Sequence, residues 1–457
     1  MRTRLLAALA LAGLGSAFGA ACKSDATDDD VAVPPDVTFH RDVEPILQQH
    51  CLTCHSDGQI GGFSLAKYED AKPLASLMVK KTAAGEMPPF SAQNTAECTS
   101  RFGWRDDPRL DATELATLSK WAEIGAPEGD PKDAPPPFEL KPSGLPNPDL
   151  TITAPEATTV DGTTDQFVCV VYDPALTEDK WVDGLHFVPG NSNIAHHALV
   201  FQAPRTDVAA QSGGAKQFPC FGAPGATLLN GWAPGGVPLE LPAGVGMKVT
   251  KDDVIVVQMH YHPRDKSESD QSKLELRFAA TKPTWSYVTA LIGNASDASE
   301  GLLPGPDDAG APEFRIPAGA AKHTEDMVYT VPDAVIIPLP VLAVGTHMHY
   351  VGTDMRFSIE RKNPTADQPA NECLVETPHW DFNWQRWYQY DTDLQHLPTV
   401  QAGDVLHMHC EYNNTKENPF VYDALEQQGL GAPTDVRLGE MTLDEMCLGV
   451  VGILVPN

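Results

Sequence analysis

The chain has 457 residues, with 62 acidic side chains against 32 Lys and Arg, and a formal net charge of −30. At roughly 100–200 residues per domain this length implies more than one domain, and 42% hydrophobic residues suffice for buried cores. The charge argues against nucleic acid as a partner, because phosphate contact relies on Lys and Arg. It argues equally against electrostatic docking on anionic lipid.

The first element is Met-Arg-Thr-Arg, an apolar run from Leu5 to Leu14 and small residues up to Ala21. A basic start, a short apolar stretch and a small-residue exit predict an export signal over 1–21. The run is too short to remain as a membrane span. Cys22 follows Gly-Ala-Ala and precedes Asp25 and Asp28–Asp30, which resembles a bacterial lipoprotein box, although Gly19 stands where that box usually has Leu. The resemblance implies a lipid on Cys22, a tether over 22–35, and a place in the periplasm or at the cell surface. Membrane contact is then expected only through that anchor, and the exported chain is disulfide-permissive.

Residues 36–130 form the next unit. Cys51-Leu52-Thr53-Cys54-His55 has the spacing of a c-type haem attachment site, in which both thiols add to the haem vinyl groups and His55 faces the iron. A redox or zinc CxxC is the competing reading. The adjacent His, the export signal and the lack of a second CxxC weigh against it. The surroundings resemble class I cytochromes c: FHRDVEPILQQHCLTCH matches their first helix, GEMPP at 85–89 their axial-Met loop, and LDATELATLSKWAEIGAP their closing helix. The resemblance implies an α-helical domain with Met87 as sixth ligand, and Met78, His40 and His50 as fallbacks. A thioether ligand raises haem potential, which suits electron transfer.

Residues 131–148 are Pro-rich and read as a stiff linker. Beyond 149, short β-rich runs alternate with Gly, Pro and Asp turns, which predicts antiparallel β-sandwiches. The expected fold class is therefore multidomain, an α-helical cytochrome c domain followed by two jelly-roll-like sandwiches. The sandwiches are divided near Lys282-Pro283 into 149–282 and 283–457.

This region holds four His clusters: His196-His197, His260 with His262, His347 with His349, and His407 with His409. On a strand, i and i+2 share a face, so each HxH can present two imidazoles to one ion. Adjacent His196 and His197 need a bulge or strand end to do the same. Imidazole suits copper and zinc, and an added thioether favours Cu(I).

The order of these motifs resembles the copper type II, ascorbate-dependent monooxygenases, namely peptidylglycine α-hydroxylating and dopamine β-monooxygenase. TDQFVCVVYDP is similar to their opening strand, IAHHALVFQ to their double-His strand, VVQMHYH to the third-His strand and VGTHMHYVG to their HxH. HCEYNNT and LDEMCLG are similar to their paired Cys segments. The resemblance assigns one copper to His196, His197 and His260, and a second, catalytic copper to His347, His349 and Met446. It also implies a Cys410–Cys447 disulfide. The implied activity is hydroxylation of a C–H bond of a small organic substrate with O2. Electrons would come from ascorbate or, as this chain's fusion suggests, through the haem, with a periplasmic redox partner upstream. An exported electron-transfer or copper-binding lipoprotein without oxygenation is the alternative, and a haem protein whose His clusters bind zinc or fill cores is a third reading.

His262 competes as a ligand and Met441 as the thioether. His407 and His409 read as supporting or surface residues. Met259, Met348 and Met408 read as core, and His186, His323, His379 and His396 as ordinary residues. Gly345 replaces the Arg that helps hold substrate in the peptide enzyme, and Leu448 and Val450 replace its Asn and Tyr, whereas Gln258 keeps the family's Gln. These changes disfavour a C-terminal glycine peptide. The partners of Cys98, Cys169, Cys220 and Cys373 stay open among three connectivities.

Overall fold

The computed structural model describes residues 33–59, 61–140, 144–162, 164–220, 226–263, 265–293, 301–439 and 443–457. The expected signal at 1–21, the lipidation site Cys22 and the runner-up Met441 lie outside the described residues.

The structure corrects the expected fold class. Strand accounts for 35% of the protein and helix for 16%, and the helices are short. The stretch 36–130 is not the self-contained α-helical cytochrome c domain that was expected. Its helices Glu44–His50, Ala75–Ala83 and Ala112–Glu123 do gather around a small core that includes Phe39, Leu47, Leu52, Leu118 and Trp121. The last of them begins with a reciprocal cap between Asp111 and Glu114, which satisfies two of its orphan N–H groups. Between the second and third helices, however, the chain leaves this core. Phe90, Ala92 and Trp104 are buried in the hydrophobic core of the β region, and Trp104 stacks on Tyr390 at 5.1 Å. Cys98 is disulfide-bonded to Cys373, 275 residues on. The physical reason for the correction is that the apolar residues of 90–104 carry no helical spacing and find their burial against strands instead.

Three larger sheets make up the rest. The five-stranded sheet centres on Asp253–Tyr261, paired antiparallel with Gln166–Tyr172 on one side and Ala195–Pro204 on the other. The run VIVVQMHY is buried throughout, as a strand covered on both faces should be. In the four-stranded sheet, Val405–Tyr412 alternates instead. Leu406, Met408, Cys410 and Tyr412 point into the core, while His407, His409 and Glu411 face outward. The ten-stranded sheet contains Trp285–Gly293, which pairs along its full length with Leu448–Pro456 and in parallel over two residues with the strand Val245–Val249. One sheet thus continues across residues 282–283.

Two further disulfides join Cys169 to Cys220 and Cys410 to Cys447. The second is the pairing that the resemblance implied. Three disulfides fit an exported protein. No helix among the described residues is long and apolar enough to cross a membrane.

Candidate metal centres

The first cluster is built by a register change. His260 pairs with His197, but the next residue, Tyr261, pairs with Ala195. His196 is the extra residue of a bulge, and the bulge turns both adjacent imidazoles toward one side, which a regular strand would forbid. One ligand-capable atom from each of His196, His197 and His260 lies within 4.8 Å of the others. The Nδ1 atoms of His196 and His260 lie 3.2 and 3.4 Å from His197 Nδ1.

The outer partners fix which ring nitrogens carry protons. His260 Nε2 lies 2.9 Å from the Asp165 carboxylate, and His196 Nε2 donates to the Asn383 side-chain oxygen. With hydrogen on His196 Nε2 the Nδ1 lone pair of that ring faces inward, and the Asp165 carboxylate beside His260 Nε2 favours the same orientation there, the arrangement by which outer groups orient metal-binding imidazoles. Burial lowers the His196 pKa to about 4 and drives that of His197 further below its usual value, so the rings are neutral at pH 7. Ring nitrogens that converge at these distances make a cradle in which a cation could take their lone pairs. The donor set therefore fits copper or zinc.

Asp165 was not singled out from the sequence. It is one residue ahead of the strand Gln166–Tyr172, where an acidic residue gives no periodic signal. Besides His260 it binds His262 Nδ1 at 2.8 Å and accepts from Tyr350 Oη at 3.1 Å. Burial would raise its pKa, yet the two imidazoles hold it far below the ordinary carboxylate range. His262 is thus joined to the carboxylate that braces His260.

The second cluster sits at a strand end. The strand Leu339–His347 pairs with Leu448–Pro456, with His347 opposite Leu448. Continuing that antiparallel register places residue 349 opposite residue 446. The Glu445 carboxylate strengthens the juxtaposition, because one of its oxygens accepts from the backbone N–H of both His349 and Met446. Met446 is 7% exposed, and Tyr412 Oη donates to its carbonyl at 3.1 Å. The disulfide at Cys447 ties the same segment to Cys410. Burial pushes the Glu445 carboxyl up to about 8, against the lowering effect of the N–H groups that surround it.

His347 Nδ1 lies 2.8 Å from Gln385 Oε1, and His349 Nδ1 lies 3.1 Å from the Asp444 carbonyl oxygen. Both oxygens accept, so Nδ1 carries the hydrogen in each ring and Nε2 carries the lone pair. The ring centroids are 5.2 Å apart. Two imidazoles thus stand beside the segment that carries the Met446 thioether, and imidazole and thioether are donor types that suit copper.

One aromatic ring touches both clusters. The Phe382 centroid lies 5.8, 5.7 and 5.9 Å from those of His196, His197 and His260, and 6.2 Å from that of His349. Phe382 opens a short 3-10 turn, Phe382–Trp384, which Asp381 caps by accepting from Asn383 N. This turn supplies Phe382 and Asn383, and Gln385 follows it directly. None of the three carries a motif in sequence, and only the fold brings them to the histidines.

Other candidates lie elsewhere. His409 pairs with Asp326 at 2.7 Å and His407 lies 3.6 Å from Glu360, both on the outer face of their strand. Met259, Met348 and Met408 are core residues. Gly345 pairs with Trp387 and Val450 inside the ten-stranded sheet, and Leu448 and Val450 are buried there.

At the CLTCH turn, Cys51 and Cys54 are unpaired thiols. Burial raises Cys51 to about 12 and raises Cys54 as well, the reverse of the lowered pKa that a redox CxxC uses. His55 is neutral through burial, its Nδ1 is enclosed without a partner, and the half-exposed Phe63 ring lies 4.4 Å away. Two protonated thiols, an orphaned ring nitrogen and an uncovered aromatic side chain fit a covalently attached haem. Met87 is 37% exposed, and its backbone N–H donates to the Lys81 carbonyl at 3.2 Å. His50 is bound to Glu114 and Pro108, and His40 to Glu44. Met78 packs at the edge of the helical core.

No protein-family profile matches the chain. Solved structures with detectable likeness include the infectious bursal disease virus VP2 subviral particle, at 8% identity over 67% of this chain and 71% of that one, with a TM-score of 0.17. Another is the tandem CBM22 domain pair of Paenibacillus barcinonensis Xyn10C, at 10% identity over 65% of this chain and 81% of that one, with a TM-score of 0.16. Neither likeness reaches the level of a shared fold.

Proposed function

We propose that the protein is an exported, copper-dependent monooxygenase that hydroxylates a C–H bond of a small organic molecule with O2. The observation that carries this reading is the pair of braced imidazole clusters around one ring, Phe382. In it, His196, His197 and His260 hold one copper ion, and His347, His349 and Met446 hold the other. When bound, the two ions would supply one electron each toward the two-electron reduction that accompanies insertion of one oxygen atom. Asp165 and Asn383 keep the first set of lone pairs aimed inward, and Gln385 and the Asp444 carbonyl do the same for the second. The buried Phe382 ring stands against both sets. Cys51, Cys54 and His55 hold a haem that accepts electrons one at a time, with ascorbate as the other candidate donor. Export through the 1–21 signal and lipidation at Cys22 belong to the same reading.

One feature favours a second reading, a copper-binding electron carrier without oxygenation. Positions 345, 448 and 450, which carry substrate-binding side chains in the peptide enzyme the sequence resembles, are here closed into the sheet. The two readings separate on oxygen consumption. Copper-loaded protein should take up two copper ions per haem iron and consume O2 with a reductant and a hydroxylatable compound. Full copper loading with no O2 uptake across a chemically broad set of compounds would leave only the electron carrier.

A further inference from the structure

The segment Asn383–Arg386 reaches three candidate redox sites within four residues. Asn383 accepts from His196, and Gln385 lies 2.8 Å from His347 Nδ1. Arg386 turns the other way, toward the CLTCH motif. Its Nη2 donates to the Pro234 carbonyl at 3.4 Å, and its Nε is enclosed without a partner. The neighbouring Gly235 has φ +72°, and a Cβ built there would lie 3.3 Å from Arg386 Nη2 and 3.8 Å from Cys54 Sγ. The guanidinium and the thiol thus flank one small gap that a side chain at 235 would fill. Burial lowers the Arg386 pKa, as expected of a cation drawn out of water without a carboxylate beside it.

We infer that Gln385 and Arg386 form the electron-transfer joint between the haem carried on Cys51 and Cys54 and the copper held by His347 and His349. This rests on the proposed function and adds to it the point of entry and the residues of the route. One electron passes from ferrous haem, which becomes ferric, to Cu(II), which becomes Cu(I), and no bond is made or broken. The path runs from the Cys54 side of the haem to Arg386, through one peptide unit to Gln385, and across a single hydrogen bond to His347. Arg386 also places a positive charge beside the Cys54 thioether, which favours the ferrous form. Asn383 gives the same segment an arm to His196, so electrons enter between the two histidine clusters.

The test uses the full chain loaded with haem and copper, with the haem photoreduced and its reoxidation by Cu(II) followed optically. With copper kept at saturating concentration to offset its weaker binding, Gln385→Leu should slow that reoxidation at least tenfold while both sites stay loaded and the haem spectrum is retained. Gln385→Glu, which keeps an acceptor for His347 Nδ1, should restore most of the rate. In copper-free protein, Arg386→Gln should lower the haem midpoint potential by up to about 59 mV, a tenfold change in the ferric to ferrous ratio. An unchanged rate in Gln385→Leu, or a slowing matched by copper loss, overturns the joint, as does an unchanged potential in Arg386→Gln. Absence of covalent haem from the intact mass would instead sink the reading beneath it, and this inference with it.

Discussion

The two histidine clusters solve the same problem with different materials. In the first, imidazoles from two adjacent strands meet across a bulge, and side chains from elsewhere, Asp165 and Asn383, orient them. In the second, two imidazoles at the end of one strand are oriented by Gln385 and a backbone carbonyl, and a separate segment, Glu445–Cys447, is clipped alongside by a carboxylate and a disulfide. The first site is a finished piece of sheet. The second depends on a loop held in place by that carboxylate and that disulfide.

The largest expected effect strikes the second site alone. His347→Ala should abolish oxygen uptake and lower copper content from two ions to one, with the haem spectrum unchanged. Loss of both copper ions in metal analysis would show that the clusters are not independent. Next, replacing Cys410 and Cys447 with Ser removes a link across 37 residues, worth about 3–4 kcal/mol of unfolding free energy. Denaturant titration measures that loss, and copper should leave the second site well before the first.

A smaller effect is expected at the first site. Asp165→Asn should weaken its copper affinity by about 10–100-fold, as loss of an outer partner typically does. Competition with a chelator reads this, and the second site should keep its affinity. The smallest contrast is between two carboxylates. Asp165 is held low by imidazoles, whereas Asp354, on the strand after His349, is pushed up to about 7, first by burial and then by Glu376 and Glu411. An acid whose folded pKa is raised contributes stability that is present below its unfolded value near 4 and is lost as pH rises through 7. Asp354→Asn should therefore raise the melting temperature at pH 8 and change it little at pH 4. An equal shift at both pH values would contradict this assignment.

Much of the grouping of the histidines was legible in the chain itself. HxH spacing on β-rich runs marks paired imidazoles because strand periodicity is local, and CLTCH is a five-residue unit. The need for a bulge at His196-His197 also followed from that periodicity, and the structure supplies one. The fold of 36–130 was misread because the short helices were local signals, while the burial of Phe90 and Trp104 against distant strands was not.

By itself, the sequence determined which side chains bear donor atoms and which local spacings let neighbours share a face, since both depend only on covalent order and backbone geometry. Tertiary structure alone decided that Asp165 braces His260, that Phe382 joins two clusters and that Arg386 faces Cys54 across Gly235. Those contacts span from 33 residues to more than 300, and no local pattern records them. They arise because a side chain's neighbours across sheets are set by how the whole chain buries its apolar surface.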